Sequence, residues 1–212
     1  MTQTLKTEPS ADFDIAAREA EIIGKPQRIA PLAPEEFDEA ALDLVMAVRK
    51  SLGVDEMDEI PEVFGVMLRD PGLFRCQMDM GVQLLGKGSI SKRERELAIL
   101  RTGWLAQAPF EWGEHVDIAK RYGVTGEEIE RVTIGSTAPG WNEHDRAILK
   151  AVEELLDDRM ISDATWNELA KNWDERQLME FPVLVGQYFT IAIQQNSLRI
   201  RLADDNPGLS NR

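Results

Sequence analysis

The sequence predicts an all-α protein. Three observations carry that expectation. Apolar residues recur at helical spacing in successive segments, as at Ala41, Leu44, Val45, Val48 and Leu52. Helix starts are marked by capping residues with a partner three positions on: Ser91 with Glu94, Thr125 with Glu128, Asp174 with Gln177. No stretch alternates apolar and polar residues as a half-buried strand does.

Three segments are expected: an extended or partly disordered arm over 1–33, a helical domain over 34–203, and a loose tail over 204–212. The arm is polar, of mixed charge and weakly periodic, with room for a short helix at Phe13–Ile23. Pro31 and Pro34 end it, since the residue before a proline is pushed out of the helical region. Pro34 suits the first turn of a helix reaching about Leu52, which Gly53 closes. Pro61 opens a short helix to Arg69, and Asp70-Pro71-Gly72 breaks it. A third helix spans about Leu73–Leu85 and stops at Gly86-Lys87-Gly88. The Ser91 cap then fixes the start of a central helix, which turns at Ala108-Pro109 into another that ends at Gly123. Thr125 opens a short helix to about Ile134, followed by a loop over 135–141. Helices follow over about Asn142–Arg159, from the Ser162 cap to about Asn172, and from Asp174 to about Leu198. The last has a wide apolar arc (Leu178, Phe181, Val185, Phe189, Ala192), and Pro182 within it removes one backbone donor and should kink it.

Composition narrows the function. The chain has 212 residues, 43% of them apolar, enough for one compact domain with a sizeable core. Lys plus Arg is 24 against 38 for Asp plus Glu, a net charge of −14. Such a surface repels nucleic acid and anionic lipid, so neither is expected as a partner. No apolar run reaches the length of a membrane span, and the polar, acidic start does not read as a signal peptide. The single cysteine, Cys76, has no internal disulfide partner, which fits a reducing, cytoplasmic setting. Two histidines far apart, without a Cys cluster, make a zinc site unexpected, and no glycine-rich phosphate loop is present.

The richest stretch is Glu96 to His115. Glu111 and His115 stand four residues apart, on one helical face. A carboxylate beside an imidazole can hold or move a proton near neutral pH. The plain alternative is a surface Glu–His pair. Glu96 lies on one face of the central helix with Leu100 and Gly103, and is read either as a relay partner of His115 or as a salt bridge to an arginine. On another face, Arg101 is read as an anchor for a substrate carboxylate or as an ion pair. Trp104 and Trp112 are read as an apolar wall near the pair, or simply as core. Gln187, Tyr188 and Asn196 are polar groups on the apolar last helix, suiting a pocket wall or structural hydrogen bonds. His144 is read as surface, and the acidic run from Glu153 to Asp158 as a solvated face.

Several segments resemble the carboxymuconolactone decarboxylase family, which includes the alkylhydroperoxidase D-like proteins. They are Arg95-Glu-Leu-Ala-Ile-Leu-Arg101, Phe110-Glu-Trp-Gly-Glu-His-Val116, Ala119 to Ile129, Ala138 to Trp141, Ile161 to Trp166, Asp174 to Leu178, and Val185 to Tyr188 followed by Asn196. The resemblance spans roughly 30–205. It implies a helical bundle assembling as a homo-oligomer: dimer, trimer or hexamer. The family's redox branch reads Glu, eleven residues, Cys-x-x-Cys, three residues, His. Glu96 and His115 match its ends, but Ala108 and Glu111 occupy the cysteine places. Without those thiols the resemblance argues against thiol peroxidase or disulfide reductase activity. It implies the cysteine-free branch, similar to the decarboxylase: a cofactor-independent lyase acting on a small carboxylated, aromatic-derived or lactone-like compound. Isomerisation by proton abstraction at the same residues is a close variant. A non-catalytic oligomeric binding protein is the alternative from another class.

Overall fold

The computed structural model describes residues 13–51 and 61–212. Within them are ten α-helices, two 3-10 turns and no strand, which agrees with the all-α expectation. The central helix α5 (Lys92–Leu105) is the axis. Its start is held by the expected capping box: Ser91 Oγ accepts from the Glu94 amide and Glu94 reaches back to the Ser91 amide. From Arg95 to Trp104 every residue of α5 is buried. It is enclosed by α6 (Pro109–Arg121), α7 (Gly126–Ile134), α8 (Glu143–Asp157) and α10 (Glu175–Leu198). The main core, including Leu97, Leu100, Trp112, Ile148, Leu184 and Phe181, forms between these helices. Each such side chain contributes about 1.5–3 kcal/mol by leaving water.

The remaining helices flank this bundle. A helix at Ile15–Ile22 (α1) lies within the short stretch expected at Phe13–Ile23. Pro34 begins not a helix but a 3-10 turn over Pro34–Glu36. The helix α2 (Glu39–Ser51) starts later, because the Asp38 carboxylate accepts the Ala41 amide at 2.8 Å and so sets its N-terminus. Leu52 and Gly53, expected to end it, lie outside the described residues. Helices α3 (Glu62–Met67) and α4 (Pro71–Gly86) follow, and α4 packs on α2 through Leu44, Val45, Phe74 and Met78. Between α8 and α10 lies α9 (Asp163–Leu169), capped by Ser162 as expected.

Pro182 is accommodated inside α10. The inner face of α10 buries Phe181, Val185, Tyr188 and Ala192, while Met179 (70% exposed), Val183 and Ile193 are exposed on the outside. Phe189, expected on the buried arc, is also exposed. Residues 206–212 differ from the loose tail expected. They turn back onto α6, bury Leu209 completely, and end in Asn211, which accepts from the Trp112 indole and donates to the Gly113 carbonyl, and in Arg212 over the Trp112 ring. The acidic run of α8 is not a purely solvated face either. Glu153 binds Arg101 and Ser136, and Glu154 accepts from Ser162 and Thr165. No helix of the described residues is long and apolar enough to cross a membrane.

Candidate functional site

The α5–α6 hairpin brings Glu96, Glu111 and His115 together. Gln107 takes a left-handed conformation (φ 49°) at the turn, and Pro109 opens α6 where its missing N–H costs nothing. The second helix is thereby folded back along α5, with the Glu111 side chain passing Gly103. His115 Nδ1 lies 2.7 Å from Glu96 Oε2, and His115 Nε2 lies 3.2 Å from Glu111 Oε1. Both ring nitrogens thus face carboxylates. Arg95 completes the array: its Nη2 and Nε donate to Glu96 Oε1 at 2.7 and 3.0 Å, and its Nη1 donates to the Leu85 carbonyl. The Tyr188 ring from α10 meets the imidazole edge-on, 5.0 Å between centroids at 89°.

All five side chains are buried. Side-chain exposure is 0% for Glu96 and 2% for Arg95, against 8% for His115 and 5% for Glu111. Arginine and Glu96 therefore form the floor, with the imidazole and Glu111 nearer the outside. Burial alone would favour the neutral ring, but the adjacent Glu96 and Glu111 carboxylates outweigh it and raise the His115 pKa to about 10. The ring is an imidazolium at neutral pH and donates from both nitrogens. Arg95, Glu96, His115 and Glu111 then carry alternating charges that sum to zero. Burial, and the nearby Glu96 and Glu111 carboxylates, push the Tyr188 hydroxyl well above its ordinary pKa, so it stays protonated.

The other residues expected at the site are used differently. Arg101 is a structural ion pair: it binds Glu153 at 2.9 Å and donates to the Val132 and Thr133 carbonyls at the end of α7. Those contacts commit its donors away from the pair. Trp104 and Trp112 pack against each other at 4.8 Å, and their remaining faces meet Phe13 and Arg212. Asn196 donates to the Ala106 carbonyl beyond the end of α5, and Gln187 donates to the Gln77 carbonyl on α4. Of the six residues expected to bind substrate, only Tyr188 touches the imidazole. His144, read as surface, is partly buried and pairs with Glu94 at 2.9 Å. Both readings of Glu96 are present at once, the His115 contact and the salt bridge to an arginine; Arg95 was not named as that arginine because adjacent residues do not share a helical face, and only the length of its side chain lets it fold back onto Glu96.

The sequence profile of the carboxymuconolactone decarboxylase family matches residues 71–154, from the start of α4 through most of α8. This segment is similar to the carboxymuconolactone decarboxylase family domain. Solved structures share the alkylhydroperoxidase D-like fold. One is the alkylhydroperoxidase AhpD core of an uncharacterized peroxidase-related protein from Ralstonia eutropha. It is 16% identical, with a TM-score of 0.72 over 85% of this chain and 95% of that one. Another is the debrominase Bmp8, 15% identical, with a TM-score of 0.66 over 84% of this chain and 94% of that one. A variant of that debrominase has been solved with 2,3,4-tribromopyrrole. At these identities the likeness is one of fold. Comparison with curated proteins gives no match.

Against the family's dithiol pattern, Ala108 is the capping residue before α6 and Glu111 stands in its first turn. The carboxylate that touches His115 thus occupies the second thiol position. Cys76, on the exposed side of α4, is elsewhere.

Proposed function

We propose that this protein is a cofactor-independent lyase of decarboxylase type. Its substrate would be a small carboxylated, aromatic-derived or lactone compound. The observation that carries this reading is the buried Glu96–His115–Glu111 array, held at 2.7 and 3.2 Å. Loss of CO₂ leaves an electron pair that flows into an adjacent carbonyl and forms an enolate. The His115 imidazolium supplies positive charge where that oxyanion develops, and a proton for the carbon. A donor with a pKa of about 10 holds its proton against water yet can give it to an enolate carbon. Glu111, the other outer member, passes the proton or orients the ring. Glu96, fixed by Arg95, keeps the imidazolium charged. An ionised Glu111 beside a substrate carboxylate would repel it, and the His115 imidazolium next to Glu111 offsets that repulsion. The same array also suits proton abstraction next to a carbonyl, and hence isomerisation without CO₂ loss.

A second reading, a binding protein without turnover, draws support from a separate observation. Both His115 nitrogens are engaged, and two hollows on the surface lie away from the array, one lined by Pro26, Leu32 and Phe37 and one by Met160, Trp166 and Pro182. In either reading the uncovered apolar stripe on α10 supports assembly as a homo-oligomer.

Incubation with lactones and aromatic acids, read out by CO₂ release and mass change, separates these readings. Turnover should fall by about 10²–10⁴ in His115→Gln and Glu111→Gln, the usual worth of a positioned proton-transfer group, and hold in His144→Gln. Full turnover in both site variants would remove the proposed chemistry. Binding that survives in a wild type unable to turn over any substrate would favour the second reading.

A further inference from the structure

Glu111 and His115 are separated by Trp112, Gly113 and Glu114, and each of these three is held by the same segment, residues 206–212. The Trp112 indole Nε1 donates to the Asn211 carbonyl at 3.0 Å. The Asn211 side-chain amide donates back to the Gly113 carbonyl at 3.0 Å. Asn206 Nδ2 donates to Glu114 Oε1 at 2.9 Å. Asn206 is also seated directly on Gly113: a Cβ there would fall 1.7 Å from Asn206 Oδ1, so only glycine permits the approach. Two further anchors hold the segment, one within this grip and one beyond it. Leu209 is fully buried and its amide donates to Glu19 of α1 at 2.8 Å, while the Arg212 guanidinium lies over the Trp104 and Trp112 rings at 5.2 and 5.6 Å. Asn211 is itself buried, and Asn206 half-buried.

A helix surface four residues long is one turn, so a grip on its middle three residues sets how that turn is rotated and translated against α5. Glu96 is rigidly placed by Arg95 on α5. The distances from His115 to Glu96 and to Glu111 therefore depend on where α6 is pressed. We infer that the strap of residues 206–212 is a positioning element of the site, with Asn206 and Asn211 fixing the imidazole between its two carboxylates through Trp112, Gly113 and Glu114. A shift of about 1 Å in such a contact changes a site's performance substantially. The inference deepens the proposed function, because it rests on Glu111 and His115 being the working pair.

The test is an NMR titration of the two histidine rings in the full chain. Wild type would be compared with Asn206→Ala, Asn211→Ala and Gly113→Ala. The Trp112 indole N–H resonance reports whether the strap has left its seat. In each variant that resonance should move, and the His115 transition should fall by about one pH unit or more, as partial loss of a carboxylate partner requires. The His144 resonances, on the other side of the bundle, should stay in place. Should Asn211→Ala fail to fold, Asn206→Ala carries the same reading from a half-exposed side chain. A strap released in this way with the His115 titration unmoved would overturn the inference. So would a Gly113→Ala variant whose indole resonance does not move, since the added methyl cannot coexist with the seated Asn206. A wild type that titrates as described but converts no substrate would fail the enzymatic reading and leave the strap's role intact.

Discussion

His115 and His144 are built from the same parts. In each ring one nitrogen meets a glutamate from the first turns of α5, Glu96 at 2.7 Å and Glu94 at 2.9 Å. Each ring meets an aromatic partner edge-on at 89°, Tyr188 at 5.0 Å and Trp173 at 5.1 Å. The differences lie in burial and in the second partner. The Glu96 side chain is 0% exposed and Glu94 21%. The far nitrogen of His115 faces the Glu111 carboxylate at 3.2 Å, whereas that of His144 faces the Asn172 amide at 3.3 Å. Glu96 is neutralised by a buried arginine, while Glu94 also serves the capping box of α5 and accepts from the Trp173 indole. A shared pair of contacts, glutamate and edge-on aromatic ring, thus belongs to a charged array in a low-dielectric interior at one place and to a helix-start brace near water at the other. Burial decides which, because it magnifies every charge left without its partner.

The strongest way to break this comparison is to remove one carboxylate charge at each place. Glu96→Gln would leave Arg95 and the imidazolium buried with too little negative charge. It should lower unfolding stability by about 3–5 kcal/mol in urea titrations. Glu94→Gln keeps a side chain able to complete the capping box and should lose about 1 kcal/mol or less. Equal losses would show that burial is not what separates the two sites.

A pH series sharpens the contrast. The folded-state pKa of His115, about 10, lies above the ordinary value of 6.5, so the folded protein holds this proton more tightly than the unfolded chain. Its contribution is complete below pH 6.5 and is lost as pH rises through about 10, amounting to a few kcal/mol. Stability measured from neutral to alkaline pH should therefore decline, and the decline should be shallower in His115→Gln. A slope that survives in His115→Gln would place the alkaline loss elsewhere.

The two sites were not equally legible in the sequence. The helices were, because capping boxes at Ser91, Thr125 and Asp174 are local and apolar spacing is periodic. The Glu111–His115 pair was legible for the same reason, being four residues apart on one helix. Glu96 could be tied to His115 through the family's motif, although its contact crosses 19 positions of sequence. Arg95, Asn206 and Asn211 were not legible. Arg95 acts through side-chain length, and the asparagines act across about 90 residues of chain, where composition suggested only a loose tail. For Arg101, Trp104 and Trp112 the structure bears out the ion-pair and core readings, and the sequence could not choose between these and a role at the site because it does not show what each helical face meets. His144 followed the same logic: its partners, Glu94 and Trp173, come from elements far from it in sequence.

The smallest expected effect is also the cleanest test of cause. Asn172→Asp would give His144 what His115 has, a carboxylate at each ring nitrogen, without changing its burial. If two acids alone were enough, Asn172→Asp would change unfolding stability by several kcal/mol, as loss of a buried charge partner does. Asn172 is exposed, and the His144 side chain retains 15% of its accessibility, so water screens the added charge. Exposed pairs contribute about 0.2–1 kcal/mol, so the change should stay within about 1 kcal/mol. Urea unfolding of Asn172→Asp at neutral pH measures this directly. A change of several kcal/mol would assign the contrast between the two sites to ligand count instead of burial.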